Sequence, residues 1–142
     1  VKTEADIDLV GAIPGSGPAY VFRFMEALEK AGIKRGLPPE SAHALALGTV
    51  LGAAVLADKS GEAFSKLREN VTSKGGTTAK ALEVMNNRDI DGMMDEAVNA
   101  ALNSFNKVLL ANHIKTCVTN DIREGREETV DELVTVLQKL MK

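Results

Sequence analysis

A chain of 142 residues, 44% hydrophobic and 26% charged, has the length of one domain and enough apolar material for a sizeable core. Its formal net charge of -3 makes no electrostatic case for nucleic acid or an anionic membrane surface. Its single cysteine, Cys117, excludes an intrachain disulfide and makes a reducing, cytoplasmic setting the expectation.

Trp is absent, aromatics are 4%, and Ala and Leu are abundant, which favours close-packed helices over a sandwich or barrel. No run of 18 apolar residues stands out, and Val1-Lys-Thr-Glu4 is not a signal peptide. The missing initiator Met suggests a trimmed or excised fragment.

Gly15-Ser-Gly-Pro18 opens the first helix, with Ser16 expected as cap and Pro18 in the first turn. Val21, Phe24, Met25, Leu28 and Ala31 follow at helical spacing, until Gly32, Gly36 and Leu37-Pro-Pro39 end the run. A second helix over about residues 39–59 is nearly free of charge across 42–57, so burial on all sides is expected. Gly48 and Gly52, beside Thr49 and Ala53, give it a small-residue face. In lipid that face would suggest a membrane dimer, but the run reads as too short, and a central core helix is expected.

A short helix over 62–71, a loop through Gly76 and a helix over 77–87 come next. Asp89 is expected to cap a long helix whose apolar stripe runs from Ile90 through Met94, Val98, Ala101, Phe105, Val108 and Leu109 to about Cys117. Residues 120–125 read as a break. Val130, Leu133, Val134, Leu137, Leu140 and Met141 then form the apolar face of a last helix, expected to pack back on Phe105, Val108 and Leu109. No stretch alternates like a strand. The fold class is all-α, a bundle of about six helices.

Two local patterns carry possible chemistry. In Val71-Thr-Ser-Lys-Gly-Gly-Thr-Thr78, two glycines between hydroxyl residues, just ahead of a helix, let backbone N–H groups converge on an anion. The same residues also suit an ordinary capped helix start. His113 and Cys117, at i and i+4, share a helix face and could provide two metal ligands; equally they are a helix-end histidine and a small thiol. Gly15-Ser-Gly17 is not a phosphate cradle, because the pattern G-x-G-x-x-G fails at Tyr20 and no strand precedes it.

Gly15-Ser-Gly-Pro-Ala-Tyr20, Ala31-Gly-Ile-Lys-Arg-Gly-Leu-Pro38, Thr49-Val-Leu-Gly-Ala-Ala54 and the loop ending at Thr78 occur in an order that resembles the C-terminal domain of pyrroline-5-carboxylate reductase, over about residues 6–97. The resemblance implies an interlocked helical dimer. It also implies that Ser73, Gly75, Gly76, Thr77 and Thr78 hold a proline-like substrate, with Thr78 near the ring nitrogen. The family's usual proline in this loop is Lys74 here. The hydride donor would sit on an N-terminal dinucleotide domain that these residues do not include. No cofactor is therefore expected, and NADPH would require that other domain.

The tail resembles something else. Residues 100–118 are similar to the second helix of the metal-sensing repressor family that includes copper sensors, and residues 125–142 to its last short helix. His113 and Cys117 fall where that family keeps two ligands. The third, a cysteine usually from a second subunit, has no counterpart in residues 88–93, so the site is read as an incomplete remnant. The repressors' basic first helix is missing, and six acidic residues against four basic ones follow Val118, so DNA binding is not expected.

Together these readings give one helical domain over 1–142, reductase-like to 97 and repressor-like from 98, joined inside one helix near residues 95–101. The expected identity is a deliberately assembled chimera with a structural role. It would partner itself, as a homodimer or higher homo-oligomer, with no complete active site, no nucleic acid and no membrane. The alternatives are an excised reductase domain keeping a substrate half-site, and a metal-responsive regulator.

Overall fold

The computed structural model describes residues 10–126 and 128–140. Leu140 (as a side chain) and Met141, both placed on the last apolar face, lie outside what is described. Seven α-helices and no strand occur among the described residues: α1 Gly17–Lys34, α2 Pro39–Ser60, α3 Phe64–Asn70, α4 Thr77–Asn87, α5 Ile90–His113, α6 Thr119–Arg123 and α7 Glu128–Leu140. Two π-helical turns, Gly11–Gly15 and Ile114–Val118, precede α1 and follow α5.

The all-α expectation therefore holds, with one more helix than the sequence suggested. Residues 119–123 are helical, and the break expected from residue 120 comes later. It is made by a Schellman closure: Gly125 adopts φ +80, its N–H donates to Ile122 O at 3.1 Å, and the Arg126 N–H donates to Asp121 O at 2.9 Å. The Arg126 guanidinium closes on the Asp121 and Glu124 carboxylates over the same corner. Gly36, at φ +98, ends α1 by the same device.

Starts follow local chemistry as well. Pro39 is the first residue of α2. Asp89 caps α5 as expected, its carboxylate accepting from the Gly92 N–H at 3.1 Å, although it does so from a left-handed φ of 50. Asp89→Ala removes the cap and leaves an alanine in that conformation, so a loss of about 1–2 kcal/mol is expected in denaturant unfolding. Asp89→Asn should retain most of it. Ser16 departs from its expected role. It stays in the right-handed helical region (φ -95, ψ -22), and its backbone N–H donates to Ile13 O, because a π turn already runs into α1.

The chain divides into two compact units, one of residues 17–94 and one joining residues 10–16 to those from Asp95 onward; the border lies inside α5. In the first, α1 packs along α2. Gly32 makes room for this, since a Cβ there would stand 3.0 Å from Leu37 Cδ1 and 3.4 Å from Ala42 Cβ. In the second, Phe105 lies against Gly11, with Ala12 buried beside it in sequence. The last helix does not meet its expected partners: α7 lies against the π turn Ile114–Val118, where Val118 is buried, while Val108 and Leu109 are exposed. The chain reverses only at Gly125, sixteen residues beyond Leu109, after the π turn and α6.

Burial is where the sequence reading fails most. The expected central core helix, α2, buries only Ala42 and Ala46 within its own chain, and Leu45, Leu47 and Leu51 are 58%, 48% and 60% exposed. Its bounds are close to those expected. With 22 residues and a mean hydropathy of 1.4 over its best 18, it is long and apolar enough to cross a membrane by length and composition. Its large side chains are present but uncovered by the rest of the chain, Val55 and Leu56 included.

Candidate functional site

The loop from Val71 to Gly76 is built by hydrogen bonds local to it. The Thr72 hydroxyl donates to Arg68 O at 2.6 Å and ties the loop to the end of α3. The Gly76 N–H donates to Ser73 O at 3.0 Å, closing a four-residue turn. Gly75, third in that turn, has φ +72, and Lys74 is not among the residues with positive φ. That combination is a type II turn, in which the third position calls for glycine and the second favours proline.

Lys74 thus occupies a proline position. Lys74→Pro fits the backbone, its N–H makes no backbone bond among the described residues, and the change should raise stability by about 0.4–1 kcal/mol. A chemical denaturation midpoint that fell instead would contradict the turn assignment.

Gly76 is extended (φ -75, ψ 177) and precedes α4 with no side-chain cap. A Cβ on Gly76 would press on Ser73 Oγ and stand 3.2 Å from Ser73 O, so any larger residue here requires Ser73 to change rotamer. The first backbone bond into the helix runs from Lys80 N–H to Gly76 O at 3.3 Å. The N–H groups of Thr77, Thr78 and Ala79 therefore stand at the positive end of α4 ahead of its ladder, suited to a carboxylate. The structure brings Ser73, Gly75, Gly76, Thr77 and Thr78 together, with one reassignment: the Gly76 N–H is engaged by the turn. Ser73, Gly75 and Thr77 are exposed, and Gly76 and Thr78 are half-buried.

Thr78 also lines a groove of about 790 Å³ within residues 17–94, which the sequence did not reveal. Tyr20 and Phe24 of α1, Val50 and Ala53 of α2, and Leu82 of α4 form much of its wall. Phe24 belongs to the apolar stripe read in the first helix, and Val50 and Ala53 to the expected core helix; periodicity does not distinguish a filled core from an open apolar groove.

The second predicted pair is less developed. His113 ends α5, Cys117 falls in the π turn, and both are exposed. The Thr119 hydroxyl, donating to Ile114 O at 2.7 Å, supports the widened turn. No group of three His, Cys, Asp or Glu side chains suited to a metal occurs among the described residues.

Residues 4–108 match the family model for pyrroline-5-carboxylate reductase dimerisation, and residues 93–139 match the model of a metal-sensitive transcriptional repressor. The two overlap inside α5, around the junction expected at 95–101. Pyrroline-5-carboxylate reductase of Vibrio alginolyticus is 45% identical over 103 residues, and pyrroline-5-carboxylate reductase 2 of Bacillus subtilis is 46% identical over 95. Those stretches are 72% and 67% of this chain but only 38% and 33% of the relatives, so the chain spans little more than a third of their length. Among solved structures, the Coxiella burnetii reductase superposes with a TM-score of 0.71 at 41% identity, covering 73% of this chain and 38% of that one. The Plasmodium falciparum pyrroline carboxylate reductase, solved with NADP bound, gives 0.69 at 37% identity, covering 72% and 41%.

Proposed function

Because the chain belongs to the pyrroline-5-carboxylate reductase dimerisation family through residues 4–108, we propose that its role is structural: it pairs with a second copy of itself. The observation that carries this reading is α2. Its Leu47, Leu51 and Val55 are exposed on one side, while Val50, Ala53 and Ala57 line the open groove on roughly the other. A flat two-fold contact covers one side of a helix. Covering both requires the second chain to wrap around α2, which is the interlocked arrangement. In this reading α2 is an interface helix, and its membrane-like hydropathy reflects burial between chains.

The loop over residues 73–78 is a substrate half-site on this scaffold, holding the carboxylate of a proline-like ligand at the start of α4. The 142 residues do not reduce pyrroline-5-carboxylate by themselves in this proposal, since the resemblance puts the nicotinamide site in a different part of the relatives. The repressor-like helices from about residue 98 extend the scaffold, and their fusion inside α5 is the mark of a chimera. His113 and Cys117 are a remnant in this reading and not a working metal centre.

Light scattering after size exclusion tests the assembly directly. Twice the chain mass of 15.1 kDa, held on dilution, is expected. A compact monomer across the concentration range would overturn the proposal.

A further inference from the structure

The surfaces that α2 offers to a second chain are distinguished by what they lack. From Ala42 to Ala57 the helix carries no Asp, Glu, Lys or Arg. Among the described residues lining the groove on its inner side, only Arg68 is charged. The Thr49 hydroxyl already donates to Leu45 O at 2.7 Å, and the Tyr20 hydroxyl is sealed from solvent, which leaves few polar groups to test a partner. Interfaces that reject wrong partners do so with like charges set opposite each other, or with polar groups that the wrong partner leaves unpaired. Apolar contacts of about the right volume tolerate substitution far better. An interface built this way selects for shape and overlooks much sequence change. The two reductases at 45% and 46% identity cover this stretch of the chain, and the Coxiella burnetii structure superposes with a TM-score of 0.71, so longer chains of the family present a similar shape.

We propose that this chain also pairs with a full-length pyrroline-5-carboxylate reductase, as a mixed dimer formed through α2. The inference rests on the reading of α2 as the interface helix. The exposed Leu47, Leu51 and Val55 are covered by the reductase chain in place of a second copy, and the open groove is filled by it. Such a pair carries the part of the reductase that this chain lacks once instead of twice. Where both chains are present, the shorter one draws reductase out of its own dimers.

The test is co-expression of the affinity-tagged full chain with pyrroline-5-carboxylate reductase 2 of Bacillus subtilis, capture on the tag, and native mass spectrometry of what is held. A species of one chain and one reductase is expected, with about one reductase or more captured for every ten tagged chains. A smaller yield overturns the proposal. If the tagged chain is then found as its own dimer, the reading of α2 as a self-interface stands without it; a tagged chain found only as a monomer removes both. Leu51→Asp in the tagged chain should cut the captured reductase by about tenfold or more, and Glu40→Gln should leave it unchanged. Capture undiminished by Leu51→Asp would place the contact away from α2 and overturn the proposal as well.

Discussion

Leu51→Asp is expected to abolish the dimer. Leu51 is 60% exposed in its own chain, so an aspartate there costs little within one copy. Any large effect must come from assembly. Burying a leucine contributes about 1.5–3 kcal/mol, and two-fold symmetry repeats the loss in each copy. The introduced carboxylate would also have to leave water at the interface. The total is on the order of 5 kcal/mol or more, a weakening of roughly a thousandfold or beyond. Light scattering of Leu51→Asp at micromolar concentration should give the mass of one chain or aggregates. An exposed polar change at the start of the same helix, Glu40→Gln, should leave the mass at two chains. If Leu51→Asp stays dimeric, α2 is not where the copies meet.

What the sequence made legible was set by residues acting over a few positions. Pro39 as the first residue of α2, Gly36 ending α1 and Asp89 capping α5 were all readable, because each acts through its own φ or a bond three residues away. The type II turn under Lys74 was half-readable: the two glycines announced a turn, but only the sign of φ at Gly75 says which. The π turn at Ile114–Val118 was invisible, since five residues are too few for a hydrophobic pattern to separate 3.6 residues per turn from a wider winding. Burial was the largest miss. An apolar pattern states that a surface must be covered and is silent about whether the cover comes from the same chain. The partner of α7 was missed for a related reason: Gly125 turns the chain inside the expected break, but an apolar stripe does not say which part of the preceding chain it meets.

Val118→Asp is expected to release the last helix. Val118 is 3% exposed, lies in the π turn that α7 packs against, and is joined by Thr129 of α7 at 8%. These are the best-buried side chains among the described residues from Asp95 onward. Replacing the valine forfeits its burial and takes a carboxylate out of water, a cost on the order of 3–5 kcal/mol. The chain can avoid that cost by letting α7 detach at the Gly125 corner. Hydrogen exchange should show the loss of amide protection in α7, and trypsin should cut faster after Arg123 and Arg126. Val134→Asp, at a position 46% exposed, should do much less. The dimeric mass should persist in Val118→Asp, because the residues proposed to pair lie within 17–94. Unchanged α7 protection in Val118→Asp would show that the helix is held by other contacts. Loss of the dimer in the same variant would show that the repressor-like helices are part of the interface and not an extension of it.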